Sequence, residues 1–403
     1  MTAHLVLGLG GTVDYEIEWD STVFEGLIRD FEIRSDELST GIPIVDERAL
    51  VVTVLAFLKS GVGGERFVAS SDIVLAFASR FRTRITLGGT GVRAGIAMHS
   101  LGVPSTQHLV SIDDNVRQLL PESIEWISSA DGDTLDPHLI IQFAAGARVS
   151  AGDIDITARS ANRVILANDP PNREMRLSPD LGRTLRSADA FLVSGFNTMQ
   201  DESLLDSRLR ELSRAMAELP EEALVFYEDA GFYEPAFSAR VREQLLERIR
   251  VYSLNEDELQ DYLGRPLDLL DPAAMSTALV EAHELIPAPV LVVHSRFWAL
   301  AFGPGAEQYR AALAGGVAMA ATRYRVGDGH TASDYDETGT LAVHSGGVAF
   351  AAAFEARFPG LAVCVPAYDL RTETPTTIGL GDSFVGGFFA AWSTSRASDV
   401  GEA

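Results

Sequence analysis

Cysteine is almost missing from this 403-residue chain, in which Cys364 stands alone. An intramolecular disulfide is therefore excluded, which fits a reducing compartment. Cys364 sits in the apolar run Leu361-Ala362-Val363-Cys364-Val365, where a buried structural thiol is expected rather than a nucleophile. Long apolar runs are missing too. None approaches the ~18 residues of a membrane span. The first residues lack the basic-then-apolar order of a signal peptide, so a soluble, cytoplasmic protein is expected. Positive charge is scarce: 32 Lys and Arg against 57 Asp and Glu give a formal net charge of −25. Such a surface repels nucleic acid and anionic membranes, so neither is expected as a partner. It equally repels a nucleotide or a sugar phosphate, so either ligand would need a local set of Arg, backbone N–H groups and metal ion. Internal repeats and low-complexity tracts are also absent.

What is present is globular in composition, with 46% hydrophobic and 22% charged residues, and long enough for a large core or two domains. Short apolar runs read as buried strands: His4 to Leu7, stopped by Gly8-Leu9-Gly10-Gly11, then Phe191–Ser194, Ala223–Tyr227, Arg250–Leu254, Val290–His294 and Leu361–Val365. The glycines after Leu7 lack the later helix-opening glycine of a dinucleotide fingerprint, so that reading is discounted. Helical patterns cover Asp201–Leu219, Pro235–Ile249, Asp271–Leu285 and Ala306–Ala321. This alternation predicts an α/β fold with a central, mostly parallel sheet flanked by helices. Groups that follow its strands, such as Glu228, Asn255 and His294, would meet along one edge. The stretch from Asp14 to Arg84 alternates charged and apolar residues instead. It suggests a smaller sheet-bearing lid, drawn from about 15–50 and part of 85–165. Residues 1–14, about 51–84 and 166–403 are assigned to the large domain.

The richest motif lies near the C-terminus: Thr376-Thr377-Ile378-Gly379-Leu380-Gly381-Asp382-Ser383. Gly379 and Gly381 allow backbone angles and close approach that a side chain forbids. The apolar run from Ser383 to about Trp392 reads as a buried helix. Its first N–H groups lack intrahelical partners and would face the turn, a place for developing negative charge. A carboxylate there, Asp382, is either a general base beside an anion hole or a helix N-cap. Glu228 ends one strand, while Asn255 and Glu258 stand one helical turn apart after another. Glu228 and Glu258 could hold a hydrated divalent cation. Asn255 with Glu258 also fits a plain capping box.

These motifs, in this order, resemble the ADP-dependent glucokinase and phosphofructokinase family of the ribokinase-like superfamily. The resemblance runs over nearly the whole chain. Gly8-Leu9-Gly10-Gly11-Thr12-Val13-Asp14 is similar to the strand and loop whose Asp binds the sugar, although Thr12 replaces the family's Asn. Gly88-Gly89, followed by Arg93-Ala94-Gly95, resembles the segment that lines the sugar site and opens a long helix. Asn162-Arg163-Val164-Ile165 resembles a segment whose Arg contacts phosphate. Ser194-Gly195-Phe196-Asn197 resembles a Ser-Gly-Leu-Gln loop. Glu228 falls on a His-x-Glu element whose His is Phe226 here, Asn255 to Glu258 on an Asn-x-x-Glu element, and Val293-His294-Ser295 on a His-Thr segment near the nucleotide. Gly379 to Asp382 is the family's Gly-x-Gly-Asp.

The resemblance implies a sugar kinase using Mg2+ or another divalent cation. ADP would be the donor, giving AMP, with ATP as the alternative donor. A sugar or a sugar phosphate, of the glucose or fructose 6-phosphate class, would be the acceptor. Asp382 would be the base, with Gly379, Leu380 and Gly381 at the transferring phosphate. Thr12, Asp14, Gly88, Gly89, Arg93 and Asn197 would bind the acceptor. Arg163, Asn255 and His294 would bind the nucleotide, and Glu228 and Glu258 the metal. Arg82, Arg84 and Arg93 form either a phosphosugar subsite or a solvated face. His330 and the nearby Asp334, Asp336 and Glu337 read as a solvent loop. Monomer and homodimer both remain open. Two other readings stay open as well: an ATP-dependent kinase of a nucleoside or other polyol on the same fold, and a non-catalytic sugar or nucleotide sensor.

Overall fold

The computed structural model describes residues 3–372 and 376–401 of the chain. Nine strands form the larger sheet. Their spatial order is Ala362–Pro366, Trp298–Phe302, Val290–His294, Val251–Asn255, Leu224–Glu228, Ala190–Val193, Leu5–Leu7, Ser105–Leu109 and Ile124–Ser128. Only Trp298–Phe302 runs against the rest. The central strands are apolar at nearly every position because helices cover both faces, and their residues split between two cores. Val225, Tyr252 and Leu291 point into one, Leu224, Phe226 and Val251 into the other. The helix Glu202–Met216 shows how the flanking elements form. Asp201 caps its first turn by accepting from Leu204 N, and Leu205, Leu209, Leu212 and Met216 make one buried stripe. This is the α/β architecture, a mostly parallel sheet flanked by helices, that the alternation of apolar runs and helical patterns predicts.

A smaller sheet of five strands stands beside it, in the order Gly64–Phe67, Asn162–Ala167, His138–Phe143, Thr12–Ile17 and Thr83–Gly88. Here the period is two. Val164, Leu166, Leu139 and Ile141 face a core built with the helices Ser21–Asp30, Glu47–Ser60 and Ser71–Ala78. Arg163, Ile165, His138, Ile140, Thr12 and Asp14 face the other way, into a cleft against the larger sheet. The chain crosses between the two sheets four times, at 8–11, 89, 129–137 and 168–169.

Several expectations need correction. Residues 51–84, assigned above to the large domain, supply Gly64–Phe67 and the first two residues of Thr83–Gly88 to the smaller sheet, and their helices pack on it. Ser105–Leu109 and Ile124–Ser128 instead extend the larger sheet. Trp298–Phe302 is a strand that the apolar-run reading missed. The last helix begins at Leu380, not Ser383, so Asp382 lies inside its first turn rather than at an N-cap. His330 is buried, its Nδ1 3.0 Å from the Gly327 carbonyl, and Asp334 belongs to the capping box that opens helix Ala332–Gly339. Among the described residues no helix is long and apolar enough to cross a membrane.

Candidate active site

The cleft between the sheets has a volume of about 390 Å³, the size of a small-molecule site. Its floor is the C-terminal edge of the parallel strands, where Glu228, Asn255 and His294 emerge. The turn at Gly379 and the start of helix Leu380–Gly401 close one side. Gly379 has φ 69°, and a Cβ there would lie 2.6 Å from Arg93 Nη1 and 3.2 Å from Asp382 Oδ2, so only glycine fits. A Cβ at Gly381 would meet His294 Cε1 at 3.4 Å and Glu228 Oε1 at 3.9 Å, which places the turn directly over those strand ends.

Arg93 joins the two halves of the site. It is 5% exposed, its Nη2 donates to Asp14 Oδ2 at 2.7 Å, and its Nε lies 3.9 Å from Asp382 Oδ2. Burial works against its charge, but Asp14 and Asp382 outweigh burial and raise its pKa. Thr12 Oγ1 donates to the other Asp14 oxygen at 2.6 Å, so Thr12 orients Asp14. Gly88 faces the same pair, and any side chain on it would collide with Thr12 Oγ1 and Asp14. Gly88 thus shapes the site from behind, while Gly89 lines the cleft.

At the strand ends, Glu228 Oε1 lies 3.0 Å from His294 Nε2, and that ring stacks on Phe384. Burial disfavours a charged His294, but Glu228 prevails and raises its pKa. Glu258 Oε2 accepts from Asn255 N at 2.9 Å, and Asn255 Oδ1 accepts from Asp257 N and Glu258 N, so the capping box is present. Burial, then the charges of Glu228 and Asp229, push Glu258 up to about 8. Glu228 Oε2 is buried with no hydrogen-bond partner. Among the described residues no three His, Cys, Asp or Glu side chains converge as a ready-made metal cage. Still, crowded hard oxygen donors with an orphaned carboxylate oxygen suit a divalent cation held largely through water. Phe226, which stands where the resembled motif has His, is fully buried against Phe388 and Phe389 and does not line the cleft.

All the other expected residues, Asn197 and Arg163 among them, also line this cleft. Arg82 and Arg84 do not. Arg84 is bound instead to Glu16 and Asp328. The sequence reading missed Arg66, Arg173, Tyr233 and the pair His138–Asp169. Four cleft residues are arginines, Arg66, Arg93, Arg163 and Arg173, whereas the chain's single lysine, Lys59, lies elsewhere. Among the described residues the Arg163 side chain makes no hydrogen bond or ion pair. Arg173 has a buried, unpartnered Nε and its guanidinium lies 5.7 Å from the Phe67 ring centre. Planar guanidinium groups left free at a cleft are suited to phosphate. Arg173 was hidden because its signal, Asp169-Pro170-Pro171-Asn172-Arg173, reads only as a capped turn.

Comparison with known proteins adds three findings. The pattern of the ADP-specific Phosphofructokinase/Glucokinase conserved region matches residues 3–289. It therefore spans Asp14 to Glu258 and stops before His294 and the Gly379 turn. No curated protein matches by sequence. Among solved structures, similarity extends to a hypothetical ADP-dependent phosphofructokinase from Pyrococcus horikoshii OT3, with 18% identity, a TM-score of 0.78, and 98% of this chain and 99% of that chain covered. A phosphofructokinase from the same organism, with AMP, has 16% identity and a TM-score of 0.79 over 98% and 99%. An ADP-dependent kinase in complex with fructose-6-phosphate and ADPβS has 13% identity and a TM-score of 0.70 over 97% and 93%. At these identities the likeness is one of fold.

Proposed function

The chain belongs to the ADP-specific phosphofructokinase/glucokinase family, and from that premise we propose that it transfers the terminal phosphoryl group of ADP to a hydroxyl of a sugar phosphate, releasing AMP. The observation that carries the reading is the shared arginine: Arg93 contacts Asp14 on the smaller sheet and reaches toward Asp382 on the larger one. An acceptor hydroxyl held by Asp14 and Thr12 lies within reach of a base on the opposite wall. Asp382 takes the proton of that hydroxyl as it attacks phosphorus. Arg93 sets one positive charge between the two carboxylates. The N–H groups at Gly379, Leu380 and Gly381 meet the transferring oxygens, and loss of one such donor costs ~3 kcal/mol of transition-state stabilisation.

A phosphorylated acceptor is favoured over a free sugar by Arg163 and Arg173, which leave positive charge unspent on the acceptor side of the cleft. Arg163 is thereby moved from the nucleotide to the acceptor phosphate. Asn255 and His294, at the strand ends, remain on the nucleotide side. Glu228 and Glu258 would hold a hydrated magnesium ion, which when bound supplies charge neutralisation at the donor phosphates. The smaller sheet acts as a lid whose approach to the larger body excludes water.

The test is magnesium-dependent transfer from ADP and from ATP, separately, to glucose, fructose 6-phosphate and other sugars and sugar phosphates, with AMP and ADP resolved as products. AMP formed with fructose 6-phosphate is expected. Transfer only from ATP would overturn the donor, and acceptor-dependent thermal stabilisation without turnover would point to a sensor. Asp382→Asn should lower kcat by about 10²-fold or more while that stabilisation persists. Near-normal turnover in this variant would remove Asp382 as the base.

A further inference from the structure

Beside the cleft, a file of charged groups runs from the smaller sheet to the Gly379 turn. Glu16 and Arg84 are cross-strand partners in the smaller sheet. Glu16 is buried, accepts from Thr86 Oγ1 at 2.8 Å, and accepts from Arg84 Nη2 at 2.6 Å. The same Arg84 nitrogen lies 2.8 Å from Asp328 Oδ2 in the larger body. Asp328 follows the helix Arg310–Val326, and its Oδ1 lies 2.6 Å from Nη1 of Arg323 in that helix's last turn. Arg323 is 4% exposed, and its Nε donates to the carbonyl of Ile378 at 2.6 Å. Ile378 is the residue that leads into Gly379. The same helix end holds the approach to the turn a second time, because Tyr324 O accepts from Thr376 N at 3.1 Å.

We infer that Arg84, Asp328 and Arg323 are positioning residues: Arg84 on the smaller sheet, through Asp328, fixes the guanidinium that aims the Ile378–Asp382 turn. None of the three needs to touch a substrate. Arg323 is a buried cation beside another, Arg93, and both burial and that neighbour weaken its hold on charge. Asp328 is its compensating anion. Arg84 is the second cation paired with Asp328, whose side chain is half-buried between Gly327 and Gly329. When the smaller sheet withdraws, Arg84 withdraws with it, Asp328 loses one of its two partners, and the brace on the turn loosens. The N–H groups of the turn are therefore aimed most firmly only when the acceptor side of the cleft has come down. A chain of this kind ties phosphoryl transfer to the presence of the acceptor and disfavours loss of the phosphoryl group to water.

The inference rests on the phosphoryl-transfer reading for its kinetic consequence but not for its structural one, so it is tested on both. Arg84→Gln and Asp328→Asn change a partly exposed side chain each and keep its approximate shape. With the acceptor found above, each is expected to lower kcat about tenfold, as a small misplacement of reacting groups does, with KM for ADP within about twofold of wild type. The double variant should be no worse than the poorer single one, because both break the same file. Asp328→Glu should recover part of the loss. Additive losses, or unchanged kcat in both single variants, would overturn the coupling. Hydrogen exchange of the amides from Thr376 to Gly386 gives a readout that needs no substrate. Both variants should exchange faster there, with the Leu224–Glu228 strand unchanged. Unaltered exchange in both would overturn the brace even if the wild-type enzyme were silent with every acceptor tried, whereas silence with the exchange effect intact would count only against the assigned reaction.

Discussion

Glu258 answers two demands with one carboxyl group. One oxygen completes a helix cap, and the other is available to the cleft beside Glu228 and Asp229. Its pKa rises from an ordinary 4.5 to about 8, so without a cation the folded state prefers it protonated. The stability this lends is complete below about pH 4.5 and is lost as pH climbs through about 8, where the buried group must ionise. Glu258→Gln keeps the capping acceptor and never ionises. In cation-free buffer the melting temperature of this variant relative to wild type should therefore rise between pH 5 and pH 9, and magnesium should shrink the difference at the upper end. A difference that is flat with pH would refute the account. The free arginines carry a separate expectation. Replacing Arg163 or Arg173 by Ala should raise KM for a sugar phosphate at least about tenfold, as the loss of a charge-assisted contact implies, and leave KM for ADP nearly unchanged in steady-state assays. Residues of this kind differ in how readable they are. Asp382 and Gly379 announce themselves because glycine, glycine and carboxylate before an apolar helix is a rare combination. Arg66 and Arg173 do not, because a single Arg on a strand or after a turn looks like any solvated cation until the opposite wall of the cleft is in place.

At the scale of elements, the strands that could be read were those buried on both faces, such as Leu224–Glu228, where every residue is covered. Ser105–Leu109 escaped because its sequence, Ser-Thr-Gln-His-Leu, looks like surface. Gln107 and His108 are in fact fully buried. The Gln107 amide donates to Ser105 Oγ at 3.2 Å, and His108 Nε2 accepts from Ser178 N at 2.8 Å. Gln107 Oε1 and His108 Nδ1 are buried without a partner, so each side chain is only half satisfied, and polar residues in such a strand carry no hydrophobic signal. Packing of the last helix shows a second kind of information. Gly386 leaves room for Ala94 and Ala97 of helix Thr90–Ser100, and Gly387 lies against Gly315 and Met319 of helix Arg310–Val326. A methyl group at Gly387 would sit 2.5 Å from Met319 Cβ and closer still to the Gly315 carbonyl. Gly387→Ala is expected to destabilise the protein by about 1–3 kcal/mol through overpacking. Because the displaced helix carries Asp382 in its first turn, kcat should fall as well. Denaturant unfolding and turnover measured on one preparation would test both, and a variant as stable as wild type would show that these helices can part at little cost.

The whole molecule carries −25 formal charges and is proposed to bind two anionic substrates. Its local arginines act within the cleft, but an approaching sugar phosphate first meets the summed field. At ~0.01 M salt that field reaches about 30 Å, and at ~0.15 M only about 8 Å. Raising salt across this range should thus lower KM for the sugar phosphate, about twofold, the reverse of the trend for a basic enzyme and an anionic ligand. A KM that rises steadily with salt would mean that the cleft arginines govern even the encounter. The overall architecture was legible at this scale as alternating strands and helices, but the division of the chain between the sheets was not. Gly64–Phe67 and Thr83–Gly88 belong to the smaller sheet because of whom they pair with, Val164–Ala167 and Thr12–Ile17, and partners so distant in sequence leave no local mark.

That division has a mechanical corollary. Four separate segments, at 8–11, 89, 129–137 and 168–169, pass between the two sheets. A flap on one thread can swing, spin and be cut away; a flap hung on four pins can do little but open and shut along one arc. A protease that severs any one crossing leaves the smaller sheet still tethered by the other three, and no truncation from either end can remove it without taking strands of the larger sheet with it.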